Sequence, residues 1–136
     1  MVKEIVRDVF FLRQKAIKAT KDDLYIGQDL RDTLKANREA CVGMAANMIG
    51  YNKAIIIVNM GLVDVVMYNP KITSQKNPYK AVEGCLSLMG QRETTRYKDI
   101  TVEYFDESFV KHKNNYSGYI AQIIQHECNH LDGIII

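Results

Sequence analysis

Ser117-Gly118-Tyr119-Ile120-Ala121-Gln122-Ile123-Ile124-Gln125-His126-Glu127-Cys128-Asn129-His130-Leu131 is the stretch on which the reading of this chain turns. It predicts one α-helix, with Ser117 as N-cap and Gly133, two residues past Leu131, as stop signal. Tyr119 and Ile123 run toward His126 and His130, while Ile120, Ile124, Cys128 and Leu131 form a second apolar stripe, so the helix is expected to be mostly buried. Its last turns carry H-E-x-x-H in a chain with three histidines in all. Helical residues four apart lie one turn above each other, so both imidazoles can grip one metal ion with Glu127 close beside it. The alternative is a pair of satisfied core histidines, but buried imidazoles are unfavourable unless each finds a partner, and a metal supplies one.

A hydrolytic metal site commonly takes three protein ligands and keeps a position for water, which leaves one ligand to find. Six residues follow His130, and none is His or Glu. His112 lies in the polar run Lys111-His112-Lys113-Asn114-Asn115, which reads as a solvated loop. Cys85, in Glu83-Gly84-Cys85-Leu86-Ser87, is the remaining candidate, because a thiolate is a strong ligand for a borderline divalent metal. Otherwise it is a small buried hydrophobe.

At these residues the chain resembles the peptide deformylases. Glu83-Gly84-Cys85-Leu86-Ser87 matches their E-G-C-L-S motif, and Gln125 to His130 resembles their Q-H-E-x-D-H motif. Cys41-Val42-Gly43-Met44-Ala45-Ala46-Asn47-Met48 is similar to a third motif, G-x-G-x-A-A-x-Q, and the whole likeness runs from about Leu12 to the end. Three positions depart from the pattern: Cys41 for the first Gly, Met48 for the final Gln and Asn129 for the Asp. The resemblance implies that Cys85, His126 and His130 hold one divalent metal, Fe(II) in preference to zinc, nickel or cobalt. It also implies that Glu127 is the general base, that the Leu86 N–H stabilises the oxyanion, and that the substrate is the formyl-methionyl end of a nascent bacterial polypeptide, with formate released. In the family the Gln shares the oxyanion with that N–H. Met48 has no donor, so half of the oxyanion hole is missing, which leaves open a second reading as a metal-binding protein of weak turnover that holds formylated or nascent peptides. Asn129 keeps the shape of Asp without its charge, and Arg96 is its candidate partner. Glu83 reads either as a loop carboxylate that orients nearby backbone or as part of the catalytic machinery. Gly84 would let the backbone pass close to the metal. Gly43, Ala45 and Ala46 would border the pocket or pack against the metal helix.

Composition sets the frame. With 136 residues the chain is expected to form one catalytic domain, and 47% hydrophobic with 25% charged residues is ordinary for a globular protein. A net charge of +2 without basic runs argues against nucleic-acid binding. The charged N-terminus and the shortness of the longest aliphatic run, Ala54 to Val58, argue against a signal peptide or a membrane span. Three cysteines point to a reducing, cytoplasmic setting, and transient ribosome contact follows from the substrate that the resemblance implies. The family likeness also implies that the C-terminal extension some deformylases use to contact the ribosome is missing, with Ile134 to Ile136 forming a terminal strand or core plug.

Thr20-Lys21-Asp22-Asp23 predicts a capped helix through about Ala40, with Leu24, Gly27, Leu30 and Leu34 inward. Ala54 to Val58 and Leu62 to Tyr68 read as strands joined at Gly61, and Ile100 to Tyr104 alternates with Ile100, Val102 and Tyr104 inward. Asn69-Pro70 and Asn77-Pro78 mark loops, and Gln91 to Arg96 reads as a charged loop before the last of these strands. The fold class is therefore α+β, with an N-terminal helix and an antiparallel or mixed sheet wrapped around a C-terminal metal-binding helix.

Overall fold

The protein is seen in a computed structural model that describes residues 1–134. A one-turn helix α1 (Val9–Leu12) precedes α2 (Leu24–Ala36), and α3 (Gly118–Leu131) closes the chain. Between them run β1 (Gly43–Ala45), β2 (Ile55–Asn59), β3 (Asp64–Cys85), β4 (Leu88–Phe105) and β5 (Lys111–Ser117). They form one antiparallel sheet in the order β1-β2-β3-β4-β5, and α3 packs against it as an α+β fold.

The Thr20 hydroxyl accepts from the Asp22 N–H, and the Asp23 carboxylate accepts from the Thr20 N–H at 2.8 Å, which locks the start of a 3-10 turn leading into α2. The helix stops at Ala36, four residues short of the expected Ala40, because Asn37 folds back and donates through Nδ2 to the Thr33 carbonyl. Ile26, Leu30 and Leu34 are buried against Ile55 to Val58 and Tyr68 in a single core. Ile100, Val102 and Tyr104 point inward as their alternation predicts.

Four of the expected loops are strand. Asn69-Pro70 and Asn77-Pro78 lie inside β3, where Asn69 and Asn77 take left-handed φ values of 53° and 61°. The register slips between Tyr68 and Lys71, so the first pair is absorbed as a bulge that lets the strand continue. Gln91 to Arg96 belongs to β4, and Lys111 to Asn115 to β5, where His112 stacks on Tyr104 and bonds Asp106 rather than lying free in a loop. Leu62 is fully exposed in the turn at Gly61, so β3 starts only at Asp64.

Ser117 occupies the N-cap of α3, but its side chain makes no capping bond among the described residues. The other end is as expected: Gly133, at φ 74°, donates to the His130 carbonyl while the Ile134 N–H reaches the Asn129 carbonyl, a Schellman stop. Ile134 is exposed and outside any strand, and Ile135 and Ile136 of the expected terminal strand lie outside the described residues.

Candidate metal centre

The β3–β4 hairpin and α3 bring the three metal candidates together. Cys85 ends β3 and Leu86-Ser87 form the two-residue turn, so the E-G-C-L-S segment is a hairpin tip. From α3 the two histidines face it, their rings 5.2 Å apart and inclined at 56°. One ligand atom from each of Cys85, His126 and His130 fits within 4.8 Å of the others, and Cys85 Sγ lies 3.2 Å from His130 Nε2. His112, on β5, has no part in this cluster.

Glu83, expected in a loop, is a buried strand residue. Its carboxylate accepts from Arg96 through Nε and Nη2, from Gln122 Nε2 and, at 2.8 Å, from His126 Nδ1. A carboxylate can only accept, so His126 carries its proton on Nδ1 and turns Nε2 toward the cluster. Burial alone would raise the Glu83 carboxyl, but the hydrogen bonds from His126, Arg96 and Gln122 outweigh it and hold it down at about 2. Arg96, expected in a loop, is buried on β4 and donates through Nη1 to Asn129, the partner proposed from sequence.

Arg96→Ala strands a buried carboxylate, so a loss of about 3–5 kcal/mol is expected, read as a lower urea midpoint. Because the Glu83 pKa is depressed, its contribution is full above the ordinary carboxyl value of 4.5 and fades as pH falls toward 2, so Arg96→Ala and wild type should converge in stability across that window.

Glu127 is buried with Oε1 unpartnered among the described residues, and burial pushes its carboxyl up to about 7. Burial would lower His126, but the Glu127 carboxylate, Cys85 and Glu83 outweigh it and raise it to about 10. His130, buried beside it, is pushed down to about 3. Of the pair, His126 is thus held toward its charged form and His130 toward its neutral one. His130 Nδ1 has no partner among the described residues, so of the two helix histidines it is His126 whose tautomer a carboxylate sets.

Cys85, His126 and Glu127 open onto a cavity of about 800 Å³, also lined by Cys41, Gly43, Met48, Leu86, Tyr119 and Ile123. Gly43 does both things expected of it, since it lines the cavity and a Cβ there would meet Ile123 Cγ2 at 2.6 Å and Glu127 Oε2 at 3.0 Å. Ala45 and Ala46 are fully buried packing residues. At Gly84 a Cβ would make only ordinary contacts with the rest of the protein, the nearest at 3.5 Å from the Gly90 carbonyl.

A sequence model of the polypeptide deformylase family matches residues 3–136. A peptide deformylase of Clostridium beijerinckii is 52% identical over 136 residues, all of both chains. The chain belongs to the peptide deformylase family. Among solved structures, a class I type b peptide deformylase from Acinetobacter baumannii superposes with a TM-score of 0.90 at 27% identity, covering 99% of this chain and 97% of that one. A second structure of that class and organism, with Met-Ala-Ser bound, gives 0.89 at 26% identity, covering 99% and 97%.

Against the family pattern, the departures have visible environments. Met48 is buried at the cavity wall and its Sδ accepts from the Ala45 N–H at 3.4 Å, so among the described residues the side chain's polar contact is as an acceptor. The Cys41 thiol, pushed up to about 12 chiefly by burial, stays protonated and donates to the Gly43 carbonyl at 2.7 Å. Sequence reasoning missed two residues here. Gln122, one turn before His126 on the same face, holds Glu83 and accepts from the Tyr79 hydroxyl, and that i, i+4 spacing was the available signal. Gln125 clasps both the N–H and the carbonyl of Tyr97 and pins α3 to β4.

Proposed function

We infer that the chain hydrolyses the N-formyl group of formyl-methionine at the start of newly made polypeptides, releasing formate and a free amine. The observation that carries this reading is the convergence of Cys85, His126 and His130 beside the buried, half-unpartnered Glu127 carboxylate in a chain of this family. The Met-Ala-Ser held by the Acinetobacter baumannii deformylase is a peptide of the kind the reaction would leave. Cys85, His126 and His130 would hold the divalent ion. That ion supplies Lewis acidity, which lets water act as a nucleophile near neutral pH.

The remaining work falls to the protein. Glu127 takes the proton of the attacking water and returns it to the departing amine as the C–N bond breaks, so the base is regenerated with each turnover. The Leu86 N–H, at the hairpin tip, donates to the oxyanion that forms on the formyl oxygen. Glu83 fixes the His126 ring through Nδ1, and Arg96 with Gln122 fixes Glu83. Ile123 and Tyr119 give the cavity an apolar side suited to a methionine chain.

A thiolate with two imidazoles suits iron(II), zinc, nickel or cobalt, and iron(II) is our assignment from the family likeness. A substrate at the start of nascent chains places the protein in the cytoplasm, meeting the ribosome transiently; no helix among the described residues is long and apolar enough to cross a membrane.

Formate release from formyl-Met-Ala-Ser tests the reading. Chelation should abolish it, and anaerobic iron(II) or added zinc, nickel or cobalt should restore it in protein with Cys85 intact. Release that survives complete metal removal would overturn the assignment.

A further inference from the structure

We propose that Arg7 is a positioning residue for deformylation, holding the turn that presents the Leu86 N–H to the oxyanion. The inference rests on the reading of Leu86 given above. Two consecutive residues of the N-terminal segment reach the two positions that frame the oxyanion. The Val6 N–H donates to the Met48 carbonyl at 2.7 Å, and Arg7 Nη1 donates to the Leu86 carbonyl at 2.9 Å. Met48 and Leu86 belong to elements far apart in sequence, and both line the cavity. Val6 and Arg7 therefore strap the 3-10 turn Ala46–Ile49 to the Leu86-Ser87 hairpin tip.

The strap matters more in this chain than the fold alone requires. Where the family pattern has a Gln donor, Met48 offers none, so the oxyanion depends on a single backbone N–H. A donor must lie about 2.7–3.1 Å from the developing oxyanion to act, so the placement of the hairpin tip that carries it bears directly on turnover. A guanidinium on the Leu86 carbonyl fixes the peptide that follows the donor. Arg7 is exposed, so the bond adds little to stability, and its removal should leave the fold intact.

The test compares Arg7→Ala, Arg7→Lys and wild type, all metal-loaded, in formate release from formyl-Met-Ala-Ser. In Arg7→Ala we expect kcat to fall about 5- to 50-fold, with KM within about twofold and both metal content and melting temperature unchanged. Arg7→Lys, which keeps a charged donor, should recover most of the loss. In a Met48→Gln background the Arg7→Ala penalty should shrink, because a second donor shares the oxyanion. An unchanged kcat in Arg7→Ala, or a loss that tracks metal content or melting temperature, would overturn the proposal. Glu127→Gln run in parallel separates the two readings: if it keeps wild-type turnover the site assignment itself fails, whereas if it is inactive and Arg7→Ala is not impaired, only the strap fails.

Discussion

Glu127→Gln is expected to lower formate release by about 10²–10⁴-fold, the range for loss of a positioned general base, while leaving the protein at least as stable as wild type. The two halves of this expectation have one cause. Glu127 is buried, its Oε1 has no partner among the described residues, and burial raises its carboxyl to about 7. Such a group is poised to exchange a proton near neutral pH, which is what a base must do. It also weakens the metal-free fold. A carboxyl raised in the folded state is more easily ionised in the unfolded chain, so stability drops as pH rises from the ordinary value of 4.5 through about 7. Gln keeps the shape and removes the charge, so metal-free Glu127→Gln should melt higher than wild type above pH 7 and match it in acid. Loss of turnover with an unchanged or raised melting temperature and full metal content identifies a catalytic group. Equal loss of metal would instead place Glu127 among the structural supports of the cluster, and retained turnover would remove it from the mechanism.

The helix that carries His126 and His130 was legible in the sequence because its signals agree. The H-E-x-x-H spacing, the apolar stripes and Gly133 all specify one helix with one functional face, and α3 runs from Gly118 to Leu131 with its stop where it was read. The N-terminal capping box was equally local and equally readable. The long hairpin was not. Between Asn69 and Tyr79 the residues are nearly all polar, with Ile72 and Tyr79 the apolar side chains apart from proline, so the sequence lacks the apolar–polar alternation that marks a strand, and two Asn-Pro pairs imitate turns. Pairing with β4 overrides those local preferences, and asparagine tolerates the left-handed backbone that Asn69 and Asn77 adopt. The same misreading put Glu83 and Arg96 in loops and hid their ion pair, because a buried Arg–Glu bridge has no sequence signature when its strands look like loops. Arg7 was unreadable for a different reason: it reaches Leu86 across 79 residues, and nothing in its local sequence says so.

Met48→Gln is expected to raise kcat, by up to about 10²–10³-fold if the missing donor is fully restored. Met and Gln have similar length, and the place of the thioether suggests how an amide would sit. Sδ accepts from the Ala45 N–H at 3.4 Å, so the Gln carbonyl can take over that bond while Nε2 turns to the cavity beside Leu86. The gain should appear in kcat with KM nearly constant, because the new bond strengthens as charge develops on the formyl oxygen and is weak before then. Stability should move the other way. A methionine that is almost completely buried would be replaced by an amide whose N–H groups lack partners in the resting site, a loss of about 1–3 kcal/mol visible as a lower melting temperature. A variant that melts lower and turns over faster would show that this chain holds a more stable cavity wall at the expense of oxyanion stabilisation. Unchanged kcat in a folded, metal-loaded Met48→Gln would show that the Leu86 N–H suffices alone, and would shift the weight of catalysis onto the hairpin tip and the Arg7 strap that steadies it.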